Sequence, residues 1–336
     1  MSPLTPESPV AQSRGRRGAR GHAGRTFIGV LATVIVLQGG ITACGGPAKE
    51  KTTATSWELP ERPDPGIRDA AAGLMDGIGV RSAAEEELIR RCMTARGFRY
   101  IKAPDDTAPV KTAADYAISP QQAEERGYGL RAQLQSTANA PRDANNDALR
   151  ALPASRREKW QTAFSGGRAA PMVKVSVPEV GQMQTRDGGC IVTARRQLYG
   201  SLEQFLKLLT FQGNFAGQME QRAARDPRVT ALNGRWSACM KKRGHPGLAE
   251  PSKAAVRAGD TYRSRNAEDA FTFERAIAEA DATCQERLHY VPRRRLVEDL
   301  YLTAGMRKYE AEVTAVREMN RDAQERARRI LSGRDR

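Results

Sequence analysis

Residues 189–224 read GCIVTARRQLYGSLEQFLKLLTFQGNFAGQMEQRAA, and they decide the fold class. Cys190 to Tyr199 predicts one helix and Ser201 to Ala224 the next, with Ser201 and Gln204 at the spacing of a capping box. Helices continue to the end of the chain. Asp226-Pro227 caps the one that carries Trp236, Cys239 and Met240 and stops at Gly244. After His245-Pro246-Gly247 another begins near Ser252. Asn266 caps a helix that runs through Phe271, Ile277, Ala280 and Cys284 to about His289. Pro292 opens the last, which extends to about Leu331; its 40 or so residues correspond to roughly 60 Å. Its apolar positions Tyr309, Val313, Val316, Ala323, Ala327 and Ile330 keep a three-and-four spacing broken only at Asn320. That is a packing seam, suited to this domain or to a second copy.

Upstream the elements are shorter. Ser82 and Glu85 have capping-box spacing, opening a helix through Leu88, Ile89 and Cys92 that Gly97 terminates. Phe98 to Ile101 looks extended. Ser119-Pro120 starts a short helix, and Ser155 to Phe164 forms another, ended by Gly166-Gly167. Val173, Val175 and Val177 alternate with Lys174 and Ser176, a strand that Pro178 closes. The expected fold is mainly α: a helical domain over 67–336 with at most a minor β-hairpin or short strands, two disulfides and a long C-terminal helix (about 292–331).

The N-terminus has a different character. Arg14, Arg16, Arg17, Arg20 and Arg25 precede FIGVLATVIVL at 27–37, eleven apolar residues, too few to span a bilayer comfortably. Ile41-Thr42-Ala43-Cys44 follows and resembles the bacterial lipobox. The resemblance implies a signal peptide over 1–43, acylation of the Cys44 thiol and a mature chain that begins at Cys44. Two acyl chains suffice for stable anchoring. Residues 44–66 are polar and Pro-rich, and read as a flexible tether.

Lys and Arg number 54 against 39 Asp and Glu, a net charge of +15, of which +11 remains on the 293 residues after the leader. Such a balance suits nucleic acid, but export places the chain away from it. The available anionic partners are phospholipid headgroups and wall polymers, or a membrane protein complex such as a transporter. Much of the charge alternates along helices, as in Gln324-Glu325-Arg326-Ala327-Arg328-Arg329, and reads as solvated faces.

One internal repeat stands out. Cys92-Met93-Thr94-Ala95-Arg96-Gly97-Phe98 and Cys239-Met240-Lys241-Lys242-Arg243-Gly244-His245 both follow C-M-x-x-R-G-ring, and both close a helix. Each is followed by a second cysteine on a later helix that leads to Leu and Tyr: Cys190 before Leu198-Tyr199, and Cys284 before Leu288 and Tyr290. Duplicated architecture pairs each first cysteine with its own second one, so the predicted disulfides are Cys92–Cys190 and Cys239–Cys284. Loops of this length stabilise a fold by roughly 4 to 5 kcal/mol each in the chain-entropy model. Cys44 stays outside both.

At these residues the chain resembles a group of exported and lipid-anchored actinobacterial proteins. Their landmarks are a C-M-x-x-x-G-aromatic segment, a Tyr-Gly-Leu stretch like Tyr128-Gly129-Leu130, an Asn-rich helix like Asn145 to Gly167, and G-C…L-Y-G as at Gly189-Cys190 to Leu198-Tyr199-Gly200. The resemblance covers about 80 to 290. It implies export and paired cysteines, and it carries over no catalytic residue.

Catalytic signatures are sparse. After the leader the histidines are His245 and His289, and the chain contains no G-x-S-x-G, H-E-x-x-H, phosphate loop or C-x-x-C. Cys239, His245, Cys284 and His289 would suit zinc, but an exported chain favours disulfides at the cysteines, so no metal or other cofactor is expected. A carboxylate-only glycosidase needs two acids in a cleft; Glu274, Glu279, Asp281 and Glu298 are available but read as exposed helix charges. Trp57, Trp160 and Trp236 read as core or tether residues. Repeated β-α alternation, expected of a solute-binding lipoprotein, is missing. The expectation is therefore a lipid-anchored protein on the outer face of the cell membrane. It would act as a non-catalytic binding or accessory module for wall polymer, anionic lipid or a membrane complex. The alternative is a carboxylate-dependent peptidoglycan-cleaving enzyme.

Overall fold

The computed structural model describes residues 57–102, 117–138 and 144–334. The leader, Cys44 and the first part of the expected tether lie outside them. The fold is mainly α with one β-hairpin and two disulfides. Helix α1 (Ile67–Ala72) leads through a 3-10 turn to α2 (Ile78–Ala95). Four short helices follow: α3 (Pro120–Arg126), α4 (Leu130–Ala138), α5 (Ala144–Ala151) and α6 (Ala154–Ser165). The hairpin of β1 (Met172–Val177) and β2 (Gly181–Arg186) pairs Met172 with Arg186 and Val177 with Gly181. Then come α7 (Gly189–Tyr199), α8 (Leu202–Ala224), α9 (Pro227–Lys242), α10 (Pro251–Thr261), α11 (Ala267–Leu288), α12 (Tyr290–Lys308) and α13 (Glu310–Leu331). Among the described residues no helix is long and apolar enough to cross a membrane.

Two hydrophobic clusters organise these elements. The larger packs α2, α6, the hairpin, α7, α8 and α13 around Met93, Leu198, Phe211, Met219 and Ala323. The smaller packs α9, α10, α11 and the start of α12 around Trp236, Met240, Ile277 and Tyr290. Each contains one disulfide: Cys190 is fully buried in the first and Cys284 in the second. Helix α12 packs on α8, α9 and α11 and so joins the two. Its approach to α8 requires Gly305, where a Cβ would lie 2.4 Å from the Met219 sulfur.

The two heptapeptides end their helices identically. Phe98 N–H donates to Met93 O at 2.9 Å and Gly97 N–H to Thr94 O at 2.9 Å; His245 N–H donates to Met240 O at 2.9 Å and Gly244 N–H to Lys241 O at 3.2 Å. That is the Schellman pattern, with the left-handed residue supplied by Gly97 (φ 77°) and Gly244 (φ 85°). Met93 and Met240 are both fully buried. In each copy the cysteine lies one residue before the buried methionine, and the pairing is Cys92–Cys190 and Cys239–Cys284, with Cα separations of 5.6 and 5.9 Å.

Several predicted boundaries move. Helix α2 begins at Ile78, so Ser82 lies inside it; the buried Arg81 guanidinium donates back to the Asp76 carbonyl and extends the helix one turn. The strand has a partner, β2, that its Gln-rich sequence hides. The expected helix over 292–331 is divided at Tyr309 (φ −109°, ψ 33°). The Tyr309 ring packs beside Phe211 and Trp57 and its hydroxyl donates to Glu179, which holds the residue out of helical register. The last ten residues of the expected tether, 57–66, lie along the domain. Trp57 sits 6.3 Å from the rings of Tyr301 and Tyr309, with Arg222 and Lys308 over its face at 4.6 and 4.5 Å. Asp64 N–H donates to Thr303 Oγ1 at 2.9 Å.

Candidate anion-binding cleft

A cleft of about 910 Å³ opens between α2, α7 and α13. Residues 87, 88, 91, 92 and 95 fall on one face of α2 by helical period, and all five line it. Helix α7 adds Thr193 and Gln197, and α13 adds Arg326, Arg329 and Ile330. The Cys92–Cys190 bridge ties the α2 wall to the α7 wall. The floor is apolar, with Leu88 and Ile330 buried.

The rim is basic. Arg90, Arg91, Arg96, Arg326 and Arg329 stand against Glu87 alone, leaving four excess positive charges on the lining. Three of these guanidiniums are moored by backbone carbonyls in the last turns of helices. Arg91 Nη2 donates to Ile330 O at 3.1 Å in α13, Arg96 Nη1 to Ala163 O at 3.1 Å in α6, and Arg326 Nε to Leu198 O at 2.7 Å in α7. A helix C-terminus favours a cation, and a carbonyl uses one of five N–H donors without neutralising the group. For Arg96 and Arg326 the charge is therefore held in place by neutral groups, whereas Arg91 also meets a carboxylate.

Glu87 is the exception. It accepts from Arg90 Nε and Nη2 at 2.9 and 2.6 Å and from Arg91 Nε at 2.9 Å, and Lys102 Nζ lies 3.6 Å away. The hydrogen bonds from Arg90, then Arg91, hold its carboxyl down to about 2 against the opposing push of burial. Arg329 pairs with Glu325 just outside the cleft at 2.8 Å.

The acids expected to be exposed are mostly not. Glu274, Asp281 and Glu298 are buried; Glu279 stays at the surface beside Arg275 at 3.6 Å. Glu274 accepts from Leu130 N–H at 2.8 Å and from the Tyr262 hydroxyl. Asp281 accepts from Tyr128 Oη at 2.9 Å, Trp236 Nε1 at 2.8 Å and Gln285 Nε2 at 2.9 Å. Glu298 is held by Arg294 at 2.9 Å and Arg68 at 3.1 Å. The sequence pattern erred here because a carboxylate on a helix looks the same whether water or a tyrosine solvates it. Glu274 and Asp281 are seven apart, on one face of α11, and dock the Tyr128-Gly129-Leu130 turn onto the smaller core. Trp160 and Trp236 are core residues, and Trp57 packs on the domain surface. The sulfurs of Cys239 and Cys284 are bonded to each other and are not ligands for zinc.

Arg326 and Arg329 both line the cleft; Arg329 stays exposed, as a solvated face predicts, while Arg326 is half-buried against α7. Their i, i+3 spacing around the buried Ala327 and Ile330 was visible, but the helix they face lies more than two hundred residues away in sequence. Comparisons of the chain with known protein families, characterised proteins and solved structures find no match.

Proposed function

We propose that this chain is a lipid-anchored extracytoplasmic envelope protein, a non-catalytic binding module that holds an anionic ligand in the cleft between α2, α7 and α13. The lipobox-like Ile41 to Cys44 supports the anchor and the outer face of the cell membrane, and two disulfides suit an oxidising compartment. The observation that carries the reading is the pair Arg96 and Arg326, moored by neutral carbonyls, which supports a preformed positive field in a concave site. Partners at that location are wall polymers, anionic lipid or an acidic face of a membrane complex. The peptidoglycan-cleaving alternative draws no support from Glu274, Asp281 and Glu298, which are buried and already bonded to protein donors.

Isolated cell wall provides the test. The full chain should sediment with walls at low ionic strength and release at about 0.5 M salt, where screening is short-ranged. Arg90→Gln with Arg329→Gln should weaken the association about tenfold while circular dichroism shows the chain still folded at the assay temperature. Soluble wall fragments in the supernatant would reverse the reading in favour of an enzyme.

A further inference from the structure

The cleft already contains one anion, and it belongs to the chain. Glu87 stands on the α2 wall, its side chain 14% exposed, bonded to both Arg90 and Arg91 and near Lys102. Resting on the reading of the cleft as a binding site, we infer that Glu87 is a built-in counter-ion occupying the anion position between Arg90 and Arg91, and that the ligand displacing it carries phosphoryl groups rather than single carboxylates.

Glu87 and an incoming anion compete for the same guanidiniums. Glu87 is tethered to the site it fills, so its effective concentration there is at least of millimolar order. A free carboxylate brings the same two oxygens and the same single charge. It gains nothing in the exchange and loses its translational freedom. A terminal phosphate, as in a monoester, presents three free oxygens and a charge of about −1.5 to −2, against two oxygens and one charge on Glu87, in a geometry that matches the guanidinium fork. It can therefore bond Arg90 and Arg91 and still reach toward Arg329 on the facing helix, which also lines the cleft. Protonation does not clear the position at ordinary pH, because the Glu87 carboxyl is held down to about 2. Displacement has to come from a stronger anion. The volume, about 910 Å³, exceeds what one phosphate fills, and the apolar floor of Leu88 and Ile330 accepts the carbon portion of a larger molecule. Two sources share this chemistry: a soluble polymer that ends in phosphate, and the monoester headgroup of a phosphatidate lipid.

Calorimetric titration of the full chain in neutral detergent separates the cases. The probes are inorganic polyphosphate of about ten units, glycerol 3-phosphate as the headgroup of a phosphatidate lipid, and poly-glutamate of matched charge. The wild type should bind a phosphoryl probe and leave poly-glutamate unbound. Glu87→Gln should tighten the phosphoryl probe about tenfold, the effect of removing one like charge, and should admit poly-glutamate. Preference for polyphosphate assigns the phosphates to a polymer; preference for glycerol 3-phosphate assigns them to a lipid. Arg329→Gln, which leaves the Glu87 cluster intact, should weaken the phosphoryl probe even if Glu87→Gln fails to fold. Equal binding of polyphosphate and poly-glutamate by the wild type, unchanged in Glu87→Gln, overturns the counter-ion role while leaving the cleft a binding site. Failure of every probe with every variant overturns the cleft reading itself.

Discussion

Asp281 shows how much one buried side chain contributes to the smaller core. Its carboxylate is fully buried and accepts from Tyr128, Trp236 and Gln285. Burial pushes its pKa up from 3.8 to about 6, and the three hydrogen bonds only partly oppose this. A carboxyl raised in the fold binds its proton more tightly there than in the unfolded chain. Its contribution to stability is therefore complete below the unfolded pKa and is lost as pH rises through about 6. A shift of this size corresponds to at most about 3 kcal/mol. Denaturant unfolding at pH 5 and pH 8 should accordingly give the greater stability at pH 5. Asp281→Asn, neutral at both and still able to accept from Trp236, should flatten that difference. An unchanged slope in the variant would move the effect to another group. Glu87 acts in a separate window and with the opposite sign: lowered to about 2, it costs stability only as pH falls from the ordinary carboxylate range toward that value.

At the scale of elements, the helix ends carry the specificity. Gly97 and Gly244 hold the left-handed position of matching Schellman ends, each five residues after a disulfide cysteine. An alanine there adopts an unfavourable backbone at a cost of roughly 1 to 2 kcal/mol. Gly234 is the contrast: it lies inside α9 with open space where its Cβ would be. Gly97→Ala and Gly244→Ala should each lower the free energy of unfolding by about that amount, whereas Gly234→Ala should raise it by about 1 kcal/mol. Equilibrium denaturation of the three variants reads both signs. These ends were legible in the sequence because the capping glycine, the last-turn arginine and the cysteine are local signals. Ser119, Ser201, Asp226 and Asn266 were legible as caps for the same reason, and all four accept the expected backbone N–H bonds. What was hidden is long-range. The break at Tyr309 depends on Glu179 and Trp57. The burial of Glu274 depends on the Leu130 amide, and the cleft depends on α13 returning to α2. No window of sequence contains both members of any of these pairs.

The described residues build two disulfide-bridged cores joined by α12, and the cleft belongs to the larger. Cys92–Cys190 closes a separation of 98 residues and fixes α2 to α7, the two walls that carry Arg91 and Gln197. Cys239–Cys284 closes 45 residues between α9 and α11 and touches no part of the cleft lining. In the chain-entropy model the two bridges differ by only about 0.7 kcal/mol, each contributing roughly 4 to 5. Stability therefore barely distinguishes them, but anion binding should. Cys92→Ser with Cys190→Ser lets α2 shift against α7, so the arginines lose their fixed spacing and the cleft should bind its anion more than tenfold more weakly. Cys239→Ser with Cys284→Ser should lower the unfolding free energy by a similar amount yet leave that affinity within about twofold below the unfolding transition, because α2, α7, α13 and their carbonyl moorings lie in the larger core. The measurement is a paired one, denaturant unfolding and anion titration on the same two double variants. Equal loss of binding from both would mean that the cores act as one cooperative unit, with α12 transmitting the damage from the smaller to the larger.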